Sequence, residues 1–445
     1  MNLTDNKIEM MNTSEIISQP QLVKRFYFLD YFYILLESCE KFSNKEEVFS
    51  HFKVLKIINQ LGESRYRRLT QDEESDLSVV QLRRFKYSFE QVIIESTNYG
   101  LLKEDRNELL LTDLGKEILS VGRSNKRKFD IKIFTLMEAK YFAFYQLIKH
   151  CYKTNKAKNG LLIFPIYSPL KLGFEKSQFK KNKAVFEYTE KLQKKLEQDI
   201  KEYLNTTISL KDALTTLNNT LISENLITSN LEEAFEIKNF NKITRRIRTY
   251  WLNFFLKNIY DYQYSFDAFN IWVERGKQIG ILNSTEFYPN FDGRLVYPTS
   301  IIVKDAKNTD FTEIFSYVTE ESLYLHLPTW EKVDSQMRKV NQDEFVQNLI
   351  EAYFDLRKSR GTHFIRLLDV REKVCYRMRI PNYLFDECLE KTYLMNIRGE
   401  MDAQISLEAD RLPHETNAMY LKREPVLVHG KYKNIIAIDY KKQRL

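Results

Sequence analysis

Residues 98–119 read NYGLLKEDRNELLLTDLGKEIL, and the stretch divides cleanly into short apolar runs and turn formers. Leu101–Lys103 and Leu109–Leu111 flank Asp105–Asn107, residue types that favour tight turns, which predicts a β-hairpin. Thr112 or Asp113 then opens a helix, because a side-chain oxygen there accepts from an otherwise unpaired backbone N–H. Upstream, Ser78 is a good N-cap for a helix that places Leu82, Phe85, Phe89, Val92 and Ile93 inward. A second helix is predicted over Lys45–Gln60. Further back, Leu22, Phe26, Leu29, Tyr33 and Leu36 recur in steps of three and four, the spacing of an amphipathic helix. Residues 1–20 read as a flexible tail.

Three helices followed by a hairpin and closed by GLL…LLLTDLGKEIL resemble the winged-helix branch of the helix-turn-helix superfamily over about residues 21–122. The resemblance implies a third helix that enters the major groove and a hairpin wing that touches the backbone. It places Arg83, Arg84 and Lys86 at the groove and Lys103 and Arg106 on the wing. The wing also carries Glu104, Asp105 and Glu108. Because winged helices serve as protein-docking modules too, that acidity keeps docking in view.

The formal net charge is +7, and it is unevenly spread. Residues 1–120 hold 16 basic and 20 acidic side chains, residues 121–205 hold 19 and 8, and the remainder 33 of each. The excess in the middle is the footprint expected of a nucleic-acid contact. Lys126, Arg127 and Lys128 precede an aromatic-rich helix with Phe134, Tyr141 and Phe144. GLLIFPIYSPLKLGF, residues 160–174, reads as an edge strand or loop, given Pro165 and Pro169. A long lysine-rich helix is predicted over Phe179–Leu204. Basic side chains interleaved with aromatics suit stacking and phosphate contact with single strands, although aromatics at helical spacing also build cores.

A second winged-helix-like unit is predicted over 241–305. Arg245, Arg246 and Arg248 open its first helix, Ser265 caps its second, and a hairpin turns at Phe291-Asp292-Gly293. After a connector at 306–339, a third unit occupies 340–445, with the basic helical middle region at 123–240. The third unit has helices at Gln342–Lys358, Ile365–Met378 and Tyr383–Met395. Its strands are predicted at Gln404–Glu408, Pro425–Val428 and Asn434–Tyr440, the last two turning at Gly430-Lys431. Asp386, Glu387 and Glu390 on its last helix repel phosphates, so they are expected to bind a protein partner or to be used internally.

Glycine is scarce, 12 in 445, and its spacing forms neither GxGxxG nor a Walker A loop, which argues against nucleotide-loop enzymes. Cys39, Cys151, Cys375 and Cys388 show no CxxC spacing, so buried reduced thiols are expected rather than disulfides or zinc. The six histidines lack HxH or HExxH spacing; His414-Glu415 and His429 are the metal-ligand candidates considered. No cofactor is expected. Asp439-Tyr440-Lys441 resembles the (D/E)xK string of metal-dependent PD-(D/E)xK nucleases, with Glu424 or Glu408 as the second carboxylate. No secretory signal or apolar run long enough to span a bilayer is visible, so a cytoplasmic protein without a membrane partner is expected.

The fold class expected is mainly α with small β-hairpins (α+β). The function expected is a non-enzymatic DNA-binding subunit of a bacterial DNA-acting assembly, in antiphage defence or in plasmid or mobile-element maintenance. It would hold duplex phosphates through Lys126, Arg127, Lys128, Arg245, Arg246 and Arg248, with an ATPase or nuclease among its protein partners. The alternatives are a kleisin-like scaffold docking on a partner ATPase, and a divergent nuclease.

Overall fold

The computed structural model describes residues 28–59, 79–141, 161–163, 194–202, 222–225, 240–260, 264–285, 294–299, 317–318, 323–324, 340–415 and 423–440, with a few single positions or pairs between them. The chain is predominantly helical, with several small antiparallel sheets among the helices. Two compact units emerge. The first comprises Met1–Tyr145, Ile271–Asn283 and Pro298–Leu445; the second comprises Gln146–Asn270 and Ser284–Tyr297.

In the first unit, α1 (Asp30–Lys41), α2 (Lys45–Asn59) and α3 (Val79–Asn98) lead into β1 (Leu102–Asp105) and β2 (Glu108–Leu111). Leu29 and Leu36 are buried, while Leu22 and Phe26 lie outside the described residues. Tyr31 meets Phe52 edge-on at 5.9 Å, and Phe52 packs on Phe89 at 5.2 Å. Each such ring withdrawn from water contributes roughly 1.5–3 kcal/mol. Phe85, Phe89, Val92 and Ile93 face inward as expected, but Leu82 is 39% exposed. It shares their helical phase yet sits in the first turn of α3, ahead of the buried stretch.

The hairpin pairs Leu102 with Leu111 and Asp105 with Glu108, so Arg106 and Asn107 form the turn. Its second strand is tied to the segment before α2, where Asn44 bridges Glu108 and the Leu109 N–H donates to the Ser43 carbonyl at 2.8 Å. Thr112 caps α4 (Asp113–Ser124) by accepting from the Gly115 N–H at 3.0 Å. Asn125 likewise caps α5 (Lys126–Lys140).

The second unit is built around β3 (Leu161–Ile163), α6 (Phe240–Tyr260) and the start of α7 (Phe266–Ile279). Trp251, Phe255, Leu256 and Ile259 of α6 are buried, as are Leu196 and Ile200 of the helical residues 194–202. Ser265 caps α7, accepting from the Ala268 N–H at 3.2 Å. β4 (Leu282–Thr285) and β5 (Arg294–Pro298) join β3 in the order β3-β5-β4, so β3 is an edge strand, the position its neighbouring prolines suit. The turn expected at 291–293 lies outside the described residues.

The rest of the first unit begins with the two-residue strands β6 (Tyr317–Val318) and β7 (Leu323–Tyr324). It continues with α8 (Gln342–Arg360), β8 (Ile365–Arg366), α9 (Leu367–Met378) and α10 (Asn382–Ile397), then β9 (Ala403–Glu408), β10 (Val426–Val428), β11 (Lys431–Lys433) and β12 (Ile435–Tyr440). Two expectations change here. Ile365 and Arg366 are not helical but pair with Ile436 and Ile435 at the edge of a β8-β12-β9 sheet. The final hairpin joins β10 to β11 rather than to the last strand. His429 and Gly430 both adopt positive φ (49° and 73°), the geometry of a two-residue turn that matches strand twist. β12 is thereby released to pair with β9 along Ile435–Tyr440.

All four cysteines are buried thiols outside any disulfide, and burial pushes Cys388 up to about 11 and Cys39 up to about 12. Among the described residues no helix is long and apolar enough to cross a membrane.

Candidate nucleic-acid interface

The exposed face of α3 follows from its phase. Phe85, Phe89, Val92 and Ile93 turn inward, leaving Arg83, Lys86, Tyr87 and Ile94 outside. Arg83 and Lys86 have no carboxylate partner among the described residues, whereas most cations of this unit do. Arg84 lies on the same helix, its side chain outside the described residues.

On the wing, Lys103 and Arg106 are both exposed, and Arg106 holds φ at 52° at the turn. Not all of the wing's acidity remains available to oppose them. Lys45 reaches Glu104 at 2.8 Å and Glu90 of α3 at 3.1 Å, so one lysine bridges two carboxylates, offsets half of their charge and ties the wing to the helix. The cost is that Glu90 and Glu104 keep negative charge beside the basic positions.

The basic cluster at the start of α5 is used differently from the expectation. Lys126 lies 2.5 Å from Asp30 and 2.6 Å from Asp130. Burial alone lowers a lysine pKa; here Asp130 and Asp30 outweigh it and raise Lys126 above the ordinary range. The ammonium is therefore a fixed internal charge. Arg127 forms an ion pair with Glu387, and its guanidinium lies 3.6 Å over the ring of Tyr383. Lys128 alone of the three has no carboxylate partner among the described residues. Arg123 and Lys132 are paired as well, with Glu40 and Glu117.

In the second unit, Arg246 is exposed and held by Glu224, its Nε at 2.9 Å from the carboxylate. The side chains of Arg245 and Arg248 lie outside the described residues. No protein-family model, no curated protein and no solved structure matches this chain.

The acidic residues of α10 have internal partners. Asp386 faces the buried Arg371 at 3.6 Å, Glu387 pairs with Arg127, and Glu390 accepts from the His429 N–H at 3.1 Å. Arg371 also donates to Glu424 at 2.8 Å. Sequence reading offered internal use as one of two outcomes for this face; Arg127, Arg371 and the β10–β11 turn were invisible as its partners because they are distant along the chain.

Asp439 sits on β12, opposite Gln404, with its side chain 64% exposed. Its ionisable neighbour is His363, at 3.4 Å, whose ring in turn meets the Tyr353 hydroxyl at 3.2 Å. Glu424 is committed to Arg371, Glu415 pairs with Arg423, and Lys441 lies outside the described residues. Among the described residues no group of three His, Cys, Asp or Glu side chains is placed to share a metal ion.

Proposed function

We propose that the chain binds duplex nucleic acid through α3 and the β1–β2 wing, acting as a non-enzymatic subunit of a DNA-acting assembly. One observation carries the reading: Arg83 and Lys86 stand exposed and, among the described residues, without carboxylate partners, on a helix whose other face is core. The winged-helix reading of residues 21–122 is supported by the order of three helices, an antiparallel hairpin braced on the segment before α2, and a closing helix. In that arrangement the wing's Lys103 and Arg106 add phosphate contacts to those of α3, with Lys128 as an outlying cation. The cations at 126 and 127 serve the first unit's own ion pairs instead.

The test is fluorescence anisotropy of a labelled duplex titrated with the full chain at low salt. The Arg83→Glu/Lys86→Glu variant changes only exposed side chains, so it should fold, and it is expected to weaken binding at least about tenfold, as loss of phosphate contacts does. No binding at low salt, or an unchanged affinity in the variant, refutes the proposal.

A further inference from the structure

Helix α6 carries a cavity of about 310 Å³, lined among others by Arg246, Tyr250, Asn253, Phe254, Lys257 and Asn258. This is near the lower end of small-molecule sites, which run from roughly 300 to 1,000 Å³. The lining combines three chemistries. Tyr250 and Phe254, four residues apart on the helix, present nearly parallel rings, 6.4 Å between centroids and 14° between planes. Lys257 is exposed and has no carboxylate partner among the described residues, and Arg246 brings a second cation.

The two amides complete the set. Asn253 accepts from the Phe266 N–H at 2.7 Å, which fixes its side chain and leaves its Nδ2 as a donor. Asn258 spends its Nδ2 on the Phe254 carbonyl at 2.8 Å, which leaves its Oδ1 as an acceptor. Flat aromatic faces, the Lys257 ammonium, one donor and one acceptor are what a phosphorylated heterocyclic base needs: a surface to stack on, charge for the phosphate, and partners for the base edge.

We propose that this cavity binds a nucleotide, with the base stacked against Tyr250 and Phe254 and the phosphate held by Lys257. The ligand is a free mononucleotide or one residue of a single strand. The site lies wholly in the second unit and is independent of the duplex proposal.

The test follows Trp251, whose ring stacks on Phe254 at 5.7 Å and so reports on it. The full chain is titrated with adenosine 5′-monophosphate and, separately, with an oligodeoxythymidine strand. Saturable quenching by the mononucleotide identifies a free nucleotide as the ligand, and quenching by the strand alone identifies a single strand. In either case Lys257→Glu and Tyr250→Leu are expected to weaken binding on the order of tenfold each. Lys257 is exposed, so its variant keeps the fold, and circular dichroism checks both. No saturable quenching with either probe, or binding indifferent to Lys257→Glu and Tyr250→Leu, overturns the proposal.

Discussion

Glu95 and Arg275 are both fully buried, and their carboxylate and guanidinium meet in a two-pronged pair at 2.9 and 3.0 Å. Tyr99 donates to the same carboxylate at 3.2 Å, and Arg275 lies 4.8 Å over Trp272. A buried charge stripped of its partner costs far more than the pair contributes. Glu95→Leu is therefore expected to destabilise the first unit by about 3–5 kcal/mol, measured by urea unfolding, while Glu95→Leu/Arg275→Met recovers most of the loss. Equal destabilisation by the single and double variants would contradict the pairing argument. Gly280 offers a second test at this scale. Its φ is 91°, and a Cβ there would lie 2.5 Å from the Tyr383 ring, whose face is covered by Arg127. Gly280→Ala combines backbone strain with overpacking and is expected to lower the unfolding midpoint by the equivalent of about 1–3 kcal/mol. Neither pair was legible in sequence. Position 95 lies 180 residues from 275, and no local pattern marks a glutamate as buried.

At the scale of elements, local chemistry was legible where the deciding atoms are neighbours in the chain. Thr112 and Ser265 cap the helices they were expected to cap, because a cap acts within three residues. The last hairpin is shifted relative to the sequence pattern because only Gly430 marks the turn there, whereas the turn also needs the positive φ of His429, a residue type that does not advertise it. The α1–α2 contact shows what sequence leaves out. His51 of α2 lies 3.1 Å from the Ser38 hydroxyl of α1 and 3.4 Å from the Lys41 ammonium. Burial first, then Lys41, lowers the His51 pKa below the ordinary imidazole value, against an opposing pull from Glu37. The folded ring thus binds its proton less readily than the unfolded one. The resulting stability is fully present above the unfolded pKa, about 6.5, and is lost as pH falls through the folded value. Urea midpoints measured from about pH 7 down to 5 should fall, and His51→Gln should flatten that part of the profile. The difference should stay under about 1 kcal/mol, since the ring is part-exposed and screened. An identical profile in the variant would remove His51 as the source.

For the whole molecule, the charge budget of the sequence and that of the surface diverge. Residues 121–205 sum to an excess of basic side chains, yet Arg123, Lys126, Arg127 and Lys132 face Glu40, Asp30, Glu387 and Glu117, acids that lie outside the segment or at its margin. Segment arithmetic counts the cations and misses their partners, which is why the clusters at α5 looked like phosphate ligands. What remains for duplex contact on α3, the wing and the start of α5 is Arg83, Lys86, Lys103, Arg106 and Lys128, exposed or part-exposed and without acidic partners among the described residues. Counterion release scales with the phosphates neutralised, by about −0.9 in the logarithmic salt slope for each. Four or five contacts give a slope of about −4, shallower than the run of lysines and arginines suggests. Lys126→Gln and Arg127→Gln should leave both the duplex affinity and that slope unchanged while lowering the unfolding midpoint, because they remove internal pairs. Lys86→Gln should do the reverse, reducing the slope by about one at unchanged stability. Measuring affinity across salt alongside unfolding separates the two classes of cation. A slope that drops in Arg127→Gln would return that residue to the interface and refute the division drawn between internal and phosphate-facing charge.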